Sequence, residues 1–187
     1  MERGPVLNYR LSLEERKALN LLKLRGYKVI ERVEQGKVIS FLASKRGREK
    51  VLVWCVQDKI IGVAYIEKLR KALKSSGVKD GIIVACNPYT FAAKRKARHY
   101  EIELIPRNFP TFDLFKHKLV PKHEVLSPKE REDLLKRYRV ERYQLPMIKS
   151  SDIVAVAIGA KPGDVIKVTR ESPTAGKHVS YRYVVPG

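Results

Sequence analysis

The run Gly81-Ile82-Ile83-Val84-Ala85-Cys86 constrains this chain more than any other stretch. It is almost wholly apolar and does not alternate. A strand with one wet face alternates with period two, so a strand without alternation needs cover on both faces. The sequence supplies a helix on either side. Val63, Ile66, Leu69 and Leu73 recur at helical spacing within residues 62–76, and Ser75-Ser76-Gly77 ends that segment. After the turn Asn87-Pro88-Tyr89-Thr90, a second helix runs to about Tyr100. A buried strand between two helices fits a small α/β sheet flanked by helices.

The flanking segments extend this unit. Ser12-Leu13-Glu14-Glu15 has the form of a capping box, opening a helix with Leu13, Ala18, Leu19, Leu22 and Leu24 on its apolar face and a stop at Arg25-Gly26. Residues 1–10 read as a loose lead-in. Tyr27-Lys28-Val29-Ile30 opens a strand. Lys37 to Ala43 and Lys50 to Val56 form a hairpin-like pair across Lys45-Arg46-Gly47-Arg48, and Glu101 to Ile105 alternates as a half-exposed strand. The expected order is α-β-β-β-α-β-α-β.

Arg107-Asn108-Phe109-Pro110-Thr111 reads as a link, giving domains 1–110 and 111–187. In the second, Phe112-Asp113-Leu114-Phe115 is a short helical turn and Lys118 to Leu126 is extended. Ser127-Pro128-Lys129-Glu130 is another capping box, with proline at the first helical position of a helix to about Tyr138 that buries Leu134 and Leu135. Gln144-Leu145-Pro146 is a turn. Ser151-Asp152 caps a short helix through Ile158 that Gly159 ends. Lys161-Pro162-Gly163-Asp164 turns into a strand, Val165 to Thr169, which pairs with Val179 to Val185 across Ser172–Lys177 and puts Tyr181 and Tyr183 on one face.

Composition narrows the function. Lys and Arg total 39 against 20 acidic residues, a formal net charge of +19. Residues 1–110 carry 24 basic and 11 acidic side chains, net +13, and residues 111–187 carry 15 and 9, net +6. The natural partner of such an excess is a polyanion, with the first domain presenting the larger surface. A charge-rich thermophile surface is the alternative, but ion-pair networks need both signs in balance. No apolar run reaches the roughly 18 residues of a spanning helix, and Met1 to Pro5 shows no signal region, so neither membrane insertion nor export is expected. Cys55 and Cys86 lie in apolar runs and read as buried thiols. His117, His123 and His178 have no metal-ligand spacing, and no cofactor is expected.

The order of elements in residues 1–110 resembles the restriction-endonuclease-like core, which places an aspartate and an (Asp/Glu/Gln)-x-Lys pair on adjacent strands. Those chemistries hold magnesium and stabilise the attacking water. Here the strand Lys37 to Ala43 carries no acid, and Val51 to Val56 carries neither acid nor lysine. Gln57-Asp58-Lys59 matches Gln-x-Lys literally, and Glu31 and Glu34 have no partner at a recognisable spacing. The domain therefore reads as a nuclease-like scaffold without the nuclease site. The run Lys94-Arg95-Lys96-Ala97-Arg98-His99, with Tyr89 and Phe91 before it, suits a phosphate backbone or a solvated helix face.

A second resemblance covers residues 114–185. Lys118-Leu119-Val120-Pro121-Lys122-His123, Gln144-Leu145-Pro146, Ser151-Asp152, Gly163-Asp164-Val165, Ser172-Pro173-Thr174-Ala175-Gly176 and Ser180-Tyr181-Arg182-Tyr183 stand in one unbroken order. This block is similar to the C-terminal domain of the fifth subunit of eukaryotic nuclear RNA polymerases and to the small archaeal RNA polymerase subunit that is its counterpart. The resemblance implies a small α+β domain that docks on the largest polymerase subunit. The docking candidates are Leu145, Pro146, Met147, Ile148, Asp152, Gly163, Asp164, Ser172, Thr174, Ala175, Gly176, Tyr181 and Arg182. The first domain resembles the eukaryotic subunit's jaw, and Thr90-Phe91-Ala92-Ala93-Lys94 corresponds to an element that lies near downstream duplex DNA in that family. Thr90, Phe91, Lys94, Arg95, Lys96 and Arg98 are the DNA-contact candidates, and no catalytic residue is expected. Met147, Ile153 and Phe91 stand where the family usually reads arginine, proline and proline, which points to a divergent paralogue or an altered partner surface. The resemblance implies a cytoplasmic, nucleoid-associated protein if archaeal and a nuclear one if eukaryotic. Two rivals remain: a magnesium-dependent nuclease using Asp58 or Glu49 with Lys59, and a DNA-binding regulator with a polymerase-docking domain.

Overall fold

The computed structural model describes residues 11–46, 49–172 and 176–187. The expectations that fall on residues 1–10, Gly47-Arg48 and Pro173-Thr174-Ala175 lie outside the described residues. The chain divides into two compact units, one of residues up to Asn20 with Lys28–Arg107 and one of Leu21–Tyr27 with Asn108–Gly187.

The first unit follows the expected order: α1 (Leu13–Leu24, its end counted with the second unit), β1 (Lys28–Gln35), β2 (Val38–Lys45), β3 (Glu49–Val56), α2 (Val63–Ser76), β4 (Asp80–Ala85), α3 (Phe91–His99) and β5 (Glu103–Ile105). The sheet order is β1-β2-β3-β4-β5. The first three strands are an antiparallel meander, and β3-β4 and β4-β5 are parallel. The two parallel steps are those that α2 and α3 cross over, because parallel neighbours need a long connection. Ile66, Leu69 and Leu73 of α2 and Ala93 and Ala97 of α3 pack with Val56, Ile83 and Ala85 into one core. Gly81 marks the closest approach. A Cβ there would meet Leu73 Cδ1 at 2.6 Å and Leu69 Cδ2 at 3.3 Å, so the strand comes under α2 without a side chain at that point.

Helix α1 departs from the sequence reading. Its capping box is present, with the Ser12 amide donating to Glu15 Oε2 at 2.9 Å and the Glu15 amide to Ser12 Oγ at 3.2 Å. Yet Leu13 is 51% exposed, while Glu14, Glu15 and Lys17 are buried. Buried charge is tolerable where it is paired. Glu15 Oε1 accepts from Arg32 Nε at 2.9 Å, and the Lys17 ammonium donates to the Arg107 carbonyl. These pairings turn the charged side of the first helical turn inward and Leu13 outward.

The second unit contains β6 (Lys122–Val125), α4 (Pro128–Tyr138), β7 (Met147–Lys149), α5 (Ile153–Ile158), β8 (Val165–Ser172) and β9 (Gly176–Val185), with 3-10 turns at Leu114–Lys116 and Arg142–Gln144. Its sheet order is β6-β8-β9-β7. The hairpin β8-β9 is antiparallel and longer than expected, reaching Ser172 opposite Gly176. β7 pairs in parallel with β9, an element that three residues are too few to announce in sequence. Both expected caps form. Ser127 and Glu130 exchange hydrogen bonds of 2.8 and 3.3 Å with Pro128 at the start of α4, and Asp152 Oδ1 accepts from the Val154 amide at 2.8 Å. Gly159 ends α5 in the left-handed conformation at φ +73. Ala155, Ala160, Ile166, Val168 and Val184 form the core beneath α5.

Truncating Leu69→Ala opens a cavity between α2 and β4 and should lower the unfolding free energy by about 2–5 kcal/mol. Ser127→Ala removes a cap and should cost about 1 kcal/mol. Denaturant titration of the purified chain measures both.

Candidate nucleic-acid interface and docking groove

Strands β2 and β3 run opposite each other throughout, with Ser40 facing Trp54 and Ile39 facing Cys55. From Val38 to Ala43 and from Val51 to Val56 every side chain is uncharged. Ile39, Phe41, Ala43, Val51, Val53, Cys55 and Val56 are buried, and the Ser40 hydroxyl donates to the Val33 carbonyl at 3.2 Å. Burial pushes the Cys55 thiol well up, so it stays protonated. Glu49 opens β3 and Gln57-Asp58-Lys59 follows its end. Seven strand steps separate Glu49 from Val56, roughly 23 Å at the usual rise. The structure therefore does not bring Glu49 to Lys59.

Asp58 is engaged. Its Oδ1 accepts from Lys37 Nζ at 3.1 Å and from the Lys59 amide at 2.9 Å, and Oδ2 accepts from the Tyr65 hydroxyl at 2.8 Å. The Tyr65 hydrogen bond, then the Lys37 one, holds this carboxyl below its ordinary range. Glu34 and Glu15 both pair with Arg32. Among the described residues no three His, Cys, Asp or Glu side chains converge as a metal-holding group.

The ends of the parallel strands are tied together. Ile61 makes an isolated parallel bridge to Tyr89: its amide donates to the Pro88 carbonyl and its carbonyl accepts from the Thr90 amide, both at 3.0 Å. Asn87 Nδ2 adds a bond to the Asp58 carbonyl at 2.8 Å. The buried Tyr89 hydroxyl lies 3.1 and 3.0 Å from the carbonyls of Ile83 and Ile105, and its burial pushes its pKa up. The turn after β3 and the turn after β4 thus form one rim at the carboxyl ends of β3 and β4, where open α/β sheets place their ligand sites.

Helix α3 starts at this rim. Thr90 is its cap, with Oγ1 accepting from the Ala93 amide at 3.1 Å, so its hydroxyl serves the helix. Ala93 and Ala97 face the core. Phe91, Lys94, Arg95 and Arg98 follow at i, i+3, i+4 and i+7 and are all exposed, forming one outer stripe. Lys96 lies to the side of this stripe. Its ammonium lies 3.7 Å from Glu67 on α2 and 5.2 Å from the Tyr100 ring, which Arg70 also covers at 3.8 Å. Lys96 lowers the Tyr100 pKa, and its own is raised in return, so this lysine ties α3 to α2.

In the second unit the motif residues divide by role. Gly163, at φ +100, donates from its amide to the Val184 carbonyl at 3.0 Å. Asp164 Oδ2 accepts from the Lys161 amide at 2.8 Å, which closes the turn into β8. The Pro146 carbonyl accepts from the Tyr183 amide, and Leu145 follows the 3-10 turn. Gly176, at φ +67, opens β9 opposite Ser172, whereas Thr174 and Ala175 lie outside the described residues. Tyr181 is half-buried against Tyr138, with ring centroids 6.2 Å apart. Met147, Ile148, Asp152 and Arg182, together with His123 and Lys149, line a groove of about 440 Å³. Met147 is 56% exposed. Sequence reading missed His123 as a groove residue, because the pairing of β6 with β8 that brings it there leaves no local signal.

Two family models match the chain. Residues 15–108 match the model described as Restriction endonuclease, so the first unit has a restriction-endonuclease-like fold. Residues 112–184 match the one described as RNA polymerase Rpb5, C-terminal domain. The DNA-directed RNA polymerase subunit Rpo5 of Thermococcus onnurineus is 57% identical over 74 residues, 40% of this chain and 90% of that relative. The Rpo5 subunits of Thermococcus kodakarensis and Archaeoglobus fulgidus are each 58% identical over 74 residues, 40% of this chain and 90% and 97% of those relatives. The chain belongs to the archaeal Rpb5/Rpo5 family of RNA polymerase subunits. The matched stretches leave the first unit without a counterpart in these short relatives. Among solved structures, the apo form of EndoMS covers 51% of this chain and 46% of that chain at 16% identity and a TM-score of 0.39, a level that says nothing of function.

His123 offers a check on the groove. Its Nδ1 lies 2.7 Å from the Pro121 carbonyl, which can only accept, so Nδ1 carries hydrogen. Burial lowers its pKa first; Pro121 and Asp152 oppose this, and Arg170 and Arg182 add to it. The native ring therefore binds its proton more weakly than the unfolded ring, whose value is 6.5. As pH falls below that value the unfolded state takes up the proton first and the fold loses stability, while above it the group contributes nothing. His123→Gln should flatten the decline of Tm on the acid side of 6.5 and leave the pH dependence above it parallel to the parent, as thermal melts across pH would record.

Proposed function

We propose that the chain is a non-catalytic subunit of DNA-directed RNA polymerase in transcription. The second unit docks on the largest subunit through the groove around Met147, Ile148 and Arg182, and the basic first unit lines the path of downstream duplex DNA. The observation that carries the DNA half is the outer stripe of α3, with Lys94, Arg95 and Arg98 at the rim of a sheet whose β2 and β3 centres hold no charge. Cations at a rim position a phosphate backbone without reading sequence. The docking half is supported by membership in the Rpo5 family and by a groove that Met147, Ile148, Asp152 and Arg182, four of the docking candidates, help to line. The relatives are archaeal, and a place in the cytoplasm beside the nucleoid follows from the same reading.

The family model for residues 15–108 favours a second reading, a magnesium-dependent nuclease. Against it, both oxygens of Asp58 are held by Lys37 and Tyr65, and Glu49 lies at the other end of β3. The two readings part in one assay. The purified chain with magnesium should leave duplex DNA intact over hours, and cleavage lost on Lys59→Ala would establish the nuclease instead.

Two further outcomes test the subunit reading. Lys94→Ala with Arg95→Ala should reduce the slope of log affinity against log salt by about 2, since each phosphate contact contributes roughly 0.9. Arg182→Glu should release the tagged chain from purified polymerase at lower salt than the parent while leaving its DNA affinity unchanged. A parent chain that washes off polymerase at moderate salt would mark a regulator rather than a subunit.

A further inference from the structure

The cations of α3 account for attraction to phosphate but not for Phe91. This ring is 81% exposed at the start of the helix, on the same stripe as Lys94, Arg95 and Arg98. Ile60, 60% exposed, precedes the Ile61 bridge to Tyr89 on the same rim. A fully wet aromatic ring gains nothing from a phosphate backbone. What nucleic acid offers it is the face of a base, and an intact duplex hides its base faces in the stack. Base faces become available at a fork, a bubble or a kink, where aromatic side chains stack or wedge.

The surrounding charge selects the same occupant. The carboxylates on the adjoining turn and helix, Asp58 and Glu67, are engaged by Lys37 and Lys96, which leaves the stripe cationic. An apolar protein pocket would have to desolvate Lys94 and Arg95 to reach Phe91, whereas a nucleic acid satisfies ring and cations together. We infer that Phe91 is a base-stacking residue and that the rim around it recognises duplex DNA interrupted by unpaired bases in preference to intact duplex. This rests on the proposed DNA contact and adds the class of DNA.

The test uses the purified full chain and three probes of one sequence: a blunt duplex, the same duplex with a three-base bubble containing 2-aminopurine, and the single strand. Anisotropy should show the bubble bound about tenfold tighter than the duplex, with quenching of the 2-aminopurine. Phe91→Ala should abolish the tenfold preference and the quenching while leaving Tm at the parental value, and Phe91→Trp should keep both. Equal parental affinity for bubble and duplex overturns the inference and leaves the proposed DNA contact standing. Tighter binding of the single strand than of the bubble overturns the part that requires duplex flanks. Phe91→Ala that spares DNA binding but weakens retention in polymerase overturns it in favour of a protein contact. No binding to any probe removes the proposed DNA contact and this inference together.

Discussion

Covering both faces of β4 is the constraint on which the first unit depends. Ile82, Ile83, Val84 and Ala85 leave no face for water, so helices must close over the strand, and parallel neighbours must reach it by crossovers. In such a sheet neither face of β4 is open to a ligand. Its loops gather at the carboxyl ends of its strands, and there the Ile61–Tyr89 bridge and the Asn87 bond join the turns after β3 and β4. The position of the DNA-contact candidates follows from this enclosure. Thr90 caps α3 because the chain must turn there, and the stripe that begins at Phe91 points outward because Ala93 and Ala97 point inward.

The same enclosure bears on what the unit can do chemically. Metal-assisted hydrolysis needs carboxylates that converge and remain free to take an ion. The centres of β2 and β3 are filled with uncharged side chains, and the carboxylate that follows β3 is spent on Lys37 and Tyr65. What the nuclease-like frame retains is its basic rim. The proposed duplex-guiding role draws on the cations of that rim, Lys94, Arg95 and Arg98, which lie apart from the packed strand centres.

Much of this was legible in the sequence where the signal is local. The boxes at Ser12–Glu15 and Ser127–Glu130, the Asp152 cap and the Gly159 stop each form as read, because a cap is decided within four residues. The order of elements in the first unit was legible for the same reason. Features set by pairing over long separations were not. Leu13 faces outward because Glu15 and Lys17 find Arg32 and Arg107, residues that no helical pattern points to. Lys96 turns toward Glu67 and Tyr100 although it belongs to a run of cations that looks uniform in sequence. The three residues of β7 acquire their role from β9 and carry no period of their own.

In the second unit the docking candidates divide between the fold and the groove. Residues that stand out together in the chain need not share a task. Gly163, Asp164 and Pro146 are occupied by the turns and ladders of the unit, so changing them would disturb the fold before it disturbed any partner. Met147 and Arg182 line the groove. A docking surface should be sought among such residues, and one of them, Met147, is also where the chain reads differently from the family's usual arginine. Under the proposed docking, an apolar group at that place in the groove asks the partner for an apolar counterpart. In the proposed docking the partner group that meets this groove lies opposite Met147, while Gly163, Asp164 and Pro146 serve the fold.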